Sequence, residues 1–216
     1  MKKIMFNDAY GLTQATIEGY KKNTRRNEFD AAEQTRLTNL VNAGYRLVIQ
    51  DDCVKVYAED ATLLFSKPTR YKVGEVVAVA QRYADIPGLD DLYRIPGTAS
   101  YFDDAHIADE PGYRNKMFVK AELMLHHIRI AGIRAERLQD ISDECCIKEG
   151  VIEHPYSGYM VDGIVYKNCH YKAYNGYLKI FDTPREAFTA LIDKVSGRST
   201  WASNPWVVAY EYELVK

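Results

Sequence analysis

Cysteine is scarce in this chain of 216 residues, and the four present, Cys53, Cys145, Cys146 and Cys169, follow no paired C-x-x-C spacing. A disulfide framework and a structural zinc motif are therefore not expected, and the cysteines read as reduced thiols. The adjacent pairs His126-His127 and Cys169-His170 point to different faces of an extended chain, so neither chelates easily and no metal site is expected. Excess charge is also missing: the formal net charge is -2, which argues against coating a nucleic acid by general electrostatics, a mode that needs a basic domain. Long apolar runs are absent too. No segment approaches the roughly 20 apolar residues of a membrane span, and the opening MKKIMFNDAYG lacks the apolar run of a signal peptide. A cytoplasmic protein without a membrane partner is expected. No internal repeat or low-complexity linker divides the chain, so residues 1–216 read as one domain.

What is present is patterned. Residues 13–20 predict a short helix ending near Gly19, and Asp30 caps a second helix through AAEQTRLTNLVNAG with Gly44 as its stop. YRLVIQ and CVKVYAE, joined by Asp51-Asp52, predict a hairpin, and the β-branched Val76, Val77 and Val79 a buried strand. Residues 84–115 read as a long loop, and loops of that length are usually functional. KMFVKAEL and HHIRIAGIRAERLQ read as strands, the second with an offset at Gly132. Ser142 opens a short helix through SDECCIKEG with Gly150 at its stop, and TPREAFTALIDKVSG carries a Thr183 cap, Pro184 at the first position and Glu186 for a capping box. Residues 151–180 hold six tyrosines among glycines and lysines and predict a hairpin or arm. NPWVVAYEYELV closes the chain as an alternating strand.

One stretch concentrates charge. EGYKKNTRR places Lys21, Lys22, Arg25 and Arg26 within six residues, on the loop that leaves the first helix. Cations at a helix C-terminus offset the helix dipole by ~0.3–1 kcal/mol, so a purely structural role is one explanation. A ligand-facing role is the other.

The order of motifs resembles the ASCH domain family. The pieces are Gly19, Lys21, Thr24, Arg25 and Arg26; Tyr71, Gly74 and Glu75; Arg137, Leu138, Gln139, Ile141 and Ser142; Glu149 and Gly150; and Asn204, Pro205, Trp206 and Val207. The chain is most similar to versions encoded in phages and prophages. The resemblance implies an α+β fold, a PUA-like mixed β-barrel with flanking helices and two insertions, at residues 27–70 and 151–180. It implies binding of RNA, a nucleotide or a modified nucleoside in a cleft lined by residues 21–26, with Lys22, Arg25 and Arg26 as ligand-binding residues and no cofactor. Certain small bacterial members remove an acyl group from N4-acetylcytidine, and by motif position the catalytic residues of such an amidohydrolase correspond to Lys21, Thr24 and Glu149. The loop departs from the family's common form, since Tyr20 precedes Lys21 and Lys22 replaces a threonine.

These residue types suit amide hydrolysis. Thr24 supplies a nucleophile, and Lys21 a base if burial or its cationic neighbours lower its pKa. Glu149 either donates to the leaving amine or pairs with Lys21, and pairing favours the charged lysine. Trp201 and Trp206 read as core aromatics rather than base-stacking platforms. A third class, a protein-interaction module built on the tyrosine-rich arm, would depend on Tyr171 and Tyr174.

Overall fold

In the computed structural model the described residues are 1–89, 110–155, 157–164 and 179–215. Ten strands and five α-helices are described, and the architecture is α+β. The strands are β1 (Lys3–Ile4), β2 (Asn23–Arg26), β3 (Arg46–Gln50), β4 (Cys53–Tyr57), β5 (Leu63–Pro68), β6 (Val76–Val79), β7 (His127–Arg137), β8 (Ile152–Glu153), β9 (Tyr159–Met160) and β10 (Trp206–Val215). The helices are α1 (Leu12–Ile17), α2 (Ala31–Asn42), α3 (Asp143–Lys148), α4 (Pro184–Val195) and α5 (Thr200–Ser203).

The central sheet runs β1-β6-β7-β10-β2, antiparallel except for β1 on β6. β3, β4 and β5 form a separate three-stranded meander, and β8 pairs with β9. The expected closed barrel is not found among the described residues: the five-stranded sheet is open, with the two-residue β1 at one edge and β2 at the other.

The longest strands lie inside the sheet, and β10 is buried on both faces over Trp206 to Tyr210, alternating only beyond it. β10 buries Val208, Tyr210 and Tyr212 on one face, and β7 buries Ile128 and Ile130. The offset at Gly132 is a β-bulge: Glu211 pairs with Gly132 and Tyr212 with Ile130, leaving Ala131 unpaired. β6 is apolar on both faces because each meets a core. Val77 and Val79 join the main core, while Ala78 enters a smaller cluster with Tyr83, Ile86 and Met124. The main core runs from Ile4 to Tyr212 and draws on both predicted insertions, through Leu37, Val54, Val56 and Phe65 and through Val151, Val161 and Ile164.

Helix ends follow their capping residues. Asp30 and Glu33 complete a capping box on α2. Ser142 accepts from Cys145 N–H on α3, and Thr183 from Glu186 N–H on α4. The Glu186 carboxylate reaches Asp182 N–H, one residue short of the predicted box.

Three further expectations are corrected, and one strand was missed. Residues 23–26 are an edge strand and not a loop, because they pair with β10. The first helix is shorter than predicted, ending at Ile17. KMFVKAEL is no strand: β1 occupies the edge of β6, Lys3 Nζ donates to the carbonyls of Met117 (2.6 Å) and Val119 (2.7 Å), and a 3-10 turn follows at Ala121–Leu123. β5 was not anticipated; pairing with β4 makes it a strand. Most of the 84–115 loop, and the tyrosine-rich arm at Tyr156, Tyr166, Tyr171, Tyr174 and Tyr177, lie outside the described residues.

Candidate functional site

The turn between α1 and β2 is held from two sides. Lys22 N–H donates to Lys148 O (2.8 Å) at the end of α3, and Lys22 O accepts from Tyr212 N–H (2.9 Å) on β10. This places Lys21 between the helix end and the strand edge. β2 then alternates, with Asn23 and Arg25 on one face and Thr24 and Arg26 on the other. Thr24 lies opposite Tyr210, and Arg25 opposite Ala209.

Lys21 is almost wholly buried, with 1% of its side chain exposed. Its ammonium donates three hydrogen bonds: to Asn23 O (2.6 Å), to Glu149 O (2.8 Å) and to Glu149 Oε2 (2.8 Å). The first carbonyl lies on the open edge of β2, and the second belongs to the C-cap residue of α3. One side chain thus satisfies an edge-strand acceptor, a helix-end acceptor and a buried carboxylate. Gly150 makes the approach possible: at φ +104°, an added Cβ would sit 2.9 Å from Leu12 Cδ2 and 3.6 Å from Lys21 Cδ.

Arg25 takes the other carboxylate oxygen. Its Nη1 donates to Glu149 Oε1 (2.9 Å), while Nε (2.8 Å) and Nη2 (2.6 Å) hold Glu136 Oε1 on β7. The chain Lys21, Glu149, Arg25, Glu136 therefore alternates in sign, and Arg134 lies 3.6 Å beyond, at Glu136 Oε2. On the opposite face Arg26 donates to Met5 O (2.7 Å). Lys21 Nζ and the Arg26 guanidinium flank the Phe6 ring, 5.5 and 5.6 Å from its centre.

Burial and charge pull the ionisations in definite directions. Burial lowers the Lys21 pKa most strongly; Glu149 raises it, and Arg26 and Arg25 lower it further, so the net direction is down. Burial pushes Glu149 up, but Lys21 and Arg25 together outweigh it and its pKa falls below the usual carboxylate range. The asymmetry is physical: one carboxylate serves two cations, whereas Lys21 shares its single carboxylate with an arginine. Arg25 is raised, since Glu149 and Glu136 outweigh its own burial. Beside the cluster, burial lifts the Cys146 thiol to about 12, which leaves it protonated and unreactive.

Lys21 and Glu149 are thus brought together by the fold, and Thr24 lies on the adjoining strand, buried. Its hydroxyl makes no hydrogen bond to a described residue, and none of the three Lys21 bonds reaches it. Arg25, expected to meet ligand, is turned inward onto two carboxylates. Arg26 is half-buried, and Lys22 alone of the four cations is exposed. Two polar atoms at the cluster lack partners among the described residues, Asn23 Oδ1 and Arg26 Nε. Three surface cavities, of about 720, 710 and 350 Å3, are lined by other residues. Exposed groups bordering the cluster include Lys22, Arg134 and Tyr20, the last 39% exposed.

Glu136 and Phe6 were not singled out from sequence. Glu136 could have been found by aligning β7 with β10 around the Gly132 offset, which sets it on the Arg25 face. No pattern distinguished Phe6 from other core aromatics.

Comparison of the chain with models of known families, with curated proteins and with solved structures returned no match.

Proposed function

We propose that the chain is a ligand-binding domain of the ASCH, PUA-like kind, and that a nucleoside, free or within RNA, binds at Lys21, Thr24 and Glu149. The observation that carries this reading is the Lys21–Glu149 contact at 2.8 Å, joining residues 128 positions apart and both nearly sealed from water. Replacing a buried ion pair by apolar side chains of similar volume is often neutral or stabilising. Retaining four charges and two unpartnered polar atoms at one strand edge is therefore better explained by recognition than by stability. Because Arg25 is committed internally, the ligand is met by hydrogen bonding rather than by general attraction to phosphate.

The experiment is a thermal-shift series with nucleosides, N4-acetylcytidine, nucleotides and short RNAs. A ligand at 100 times its Kd stabilises the folded state by about 2.7 kcal/mol. Binding to RNA should be weakly salt-dependent, with a slope near the roughly -0.7 of a single phosphate contact, since Lys22 is the one exposed cation among residues 21–26. If no ligand shifts the midpoint, the cluster is a structural staple between α3 and β2.

A second reading, hydrolysis of an acylated nucleoside, is favoured by the lowered Lys21 pKa and the unbonded Thr24 hydroxyl. In that reaction Thr24 Oγ attacks the amide carbonyl and its proton passes to neutral Lys21. The C–N bond breaks as the lysine returns the proton to the leaving amine, and water then hydrolyses the threonine ester. Release of cytidine from N4-acetylcytidine, abolished in Thr24→Val with the fold intact, is the expected outcome.

A further inference from the structure

We propose that Arg25 and Glu136 are a positioning pair: they hold the Glu149 carboxylate across Lys21 and set the charge of the lysine amine without themselves touching ligand. The inference rests on the reading that Lys21 and Glu149 face a nucleoside, and it gives Arg25 a different task from the ligand contact its motif suggested.

The geometry assigns these roles. Glu149 has two carboxylate oxygens, and each has one cation, Lys21 on Oε2 and Arg25 on Oε1. The Arg25 fork is locked from its other side by Glu136 through Nε and Nη2, and a guanidinium spanning two carboxylates is a rigid spacer that an ammonium cannot replace. The Arg25 side chain is 1% exposed and that of Glu136 18%, so the spacer is sheltered and its charges act through little water. Glu136 sits on β7 and Glu149 at the end of α3; the pair therefore ties the helix end to the sheet and fixes where the Glu149 carboxylate points.

The charges around the amine are few. Lys21 faces Glu149 from α3 and Arg25 and Arg26 from β2. Tyr212 on β10 and Cys146 on α3 lie within the field of Glu149, both with raised pKa values and so neutral. Glu136 faces Arg25 and, from its own strand, Arg134. Neutralising Glu136 removes a negative charge and leaves Arg25 to draw on Glu149 alone, which disfavours the Lys21 ammonium. Neutralising Arg25 removes a like charge and leaves Glu149 wholly to Lys21, which favours it. The two substitutions act in opposite directions.

The test follows the lysine itself. With 13C-lysine-labelled full-length protein, the Lys21 Cε resonance, assigned by its loss in Lys21→Arg, is titrated in wild type, Glu136→Gln, Arg25→Gln and Glu136→Asp. The midpoint should move down in Glu136→Gln and up in Arg25→Gln, and Glu136→Asp, which keeps the charge, should restore the wild-type position. A purely structural tie would lower the melting midpoint of these variants and leave the Lys21 titration where it is. An unmoved midpoint in Glu136→Gln, or equal movement in Glu136→Gln and Glu136→Asp, overturns the proposal; that comparison decides even if Arg25→Gln does not fold. The titration needs no ligand, so failure of nucleosides to bind would remove the proposed function and leave this result standing.

Discussion

The ion cluster at β2 and the ion pairs around the β3–β5 meander use the same side chains to different ends. At β2, Lys21, Arg25 and Glu149 are enclosed, and every Lys21 donor has an acceptor. On the meander, Lys67 meets Glu33 of α2 with about a quarter of each side chain exposed, and Lys55 meets an Asp51 that is largely in water. These pairs are still partly open to water, and such pairs are worth little because water screens them and ordering long side chains costs entropy. Buried pairs hold leverage of a different kind: the pair adds little over an apolar equivalent, yet breaking it strands a charge. The two regions also end helices differently. Gly44 after α2 opens onto space, whereas Gly150 after α3 closes onto Leu12 and Lys21.

The largest expected effect is at Glu149. Its replacement by alanine leaves Lys21 and Arg25 without their shared partner and should lower stability by about 3–5 kcal/mol in urea unfolding; a loss comparable to that at Lys67 would erase the distinction between the regions. Acid should act through the same group. Because the folded pKa of Glu149 is depressed, its contribution is complete above the ordinary carboxylate value of about 4.3 and is lost as pH falls through the folded value. The acid limb of the stability profile should therefore flatten in Glu149→Gln, and an unchanged limb would show that other carboxylates govern it.

The glycines give the next contrast. Gly150→Ala combines left-handed backbone strain with a contact on Leu12 and should cost about 2–3 kcal/mol, whereas Gly44→Ala meets nothing and should cost about 1 kcal/mol. Equal losses would mean that the closure onto Lys21 adds nothing. The smallest effect is expected at Lys67→Ala, under about 1 kcal/mol, read as a shift in urea midpoint; a larger loss would give the meander's surface charges a weight the comparison denies them.

Elements with local signals are legible in the chain itself. The Asp30–Glu33 box, the Thr183-Pro184 start and the alternation of β10 beyond Tyr210 each carry their cause within a few residues. Strands that exist because of a distant partner are not legible in this way. NTRR has no β-former except Thr24, and it is a strand because β10 offers it an edge. KMFVKAEL has the composition of a strand and no edge to join, since β1 holds that of β6. At the site, pairing of Glu149 with Lys21 was one of two alternatives that the residue types left open, and the fold makes that contact. The inward turn of Arg25 was not anticipated, because it depends on Glu136, which only the β7–β10 register brings near.

By itself the sequence determined which segments cap, break and alternate, because those preferences act over one turn of helix or one pleat of strand. Contacts distant along the chain are what turned two of the four cations, Lys21 and Arg25, into the interior. Glu149 and Glu136 reach them from 128 and 111 residues away, and a charge is drawn inward only where the fold has already placed its opposite.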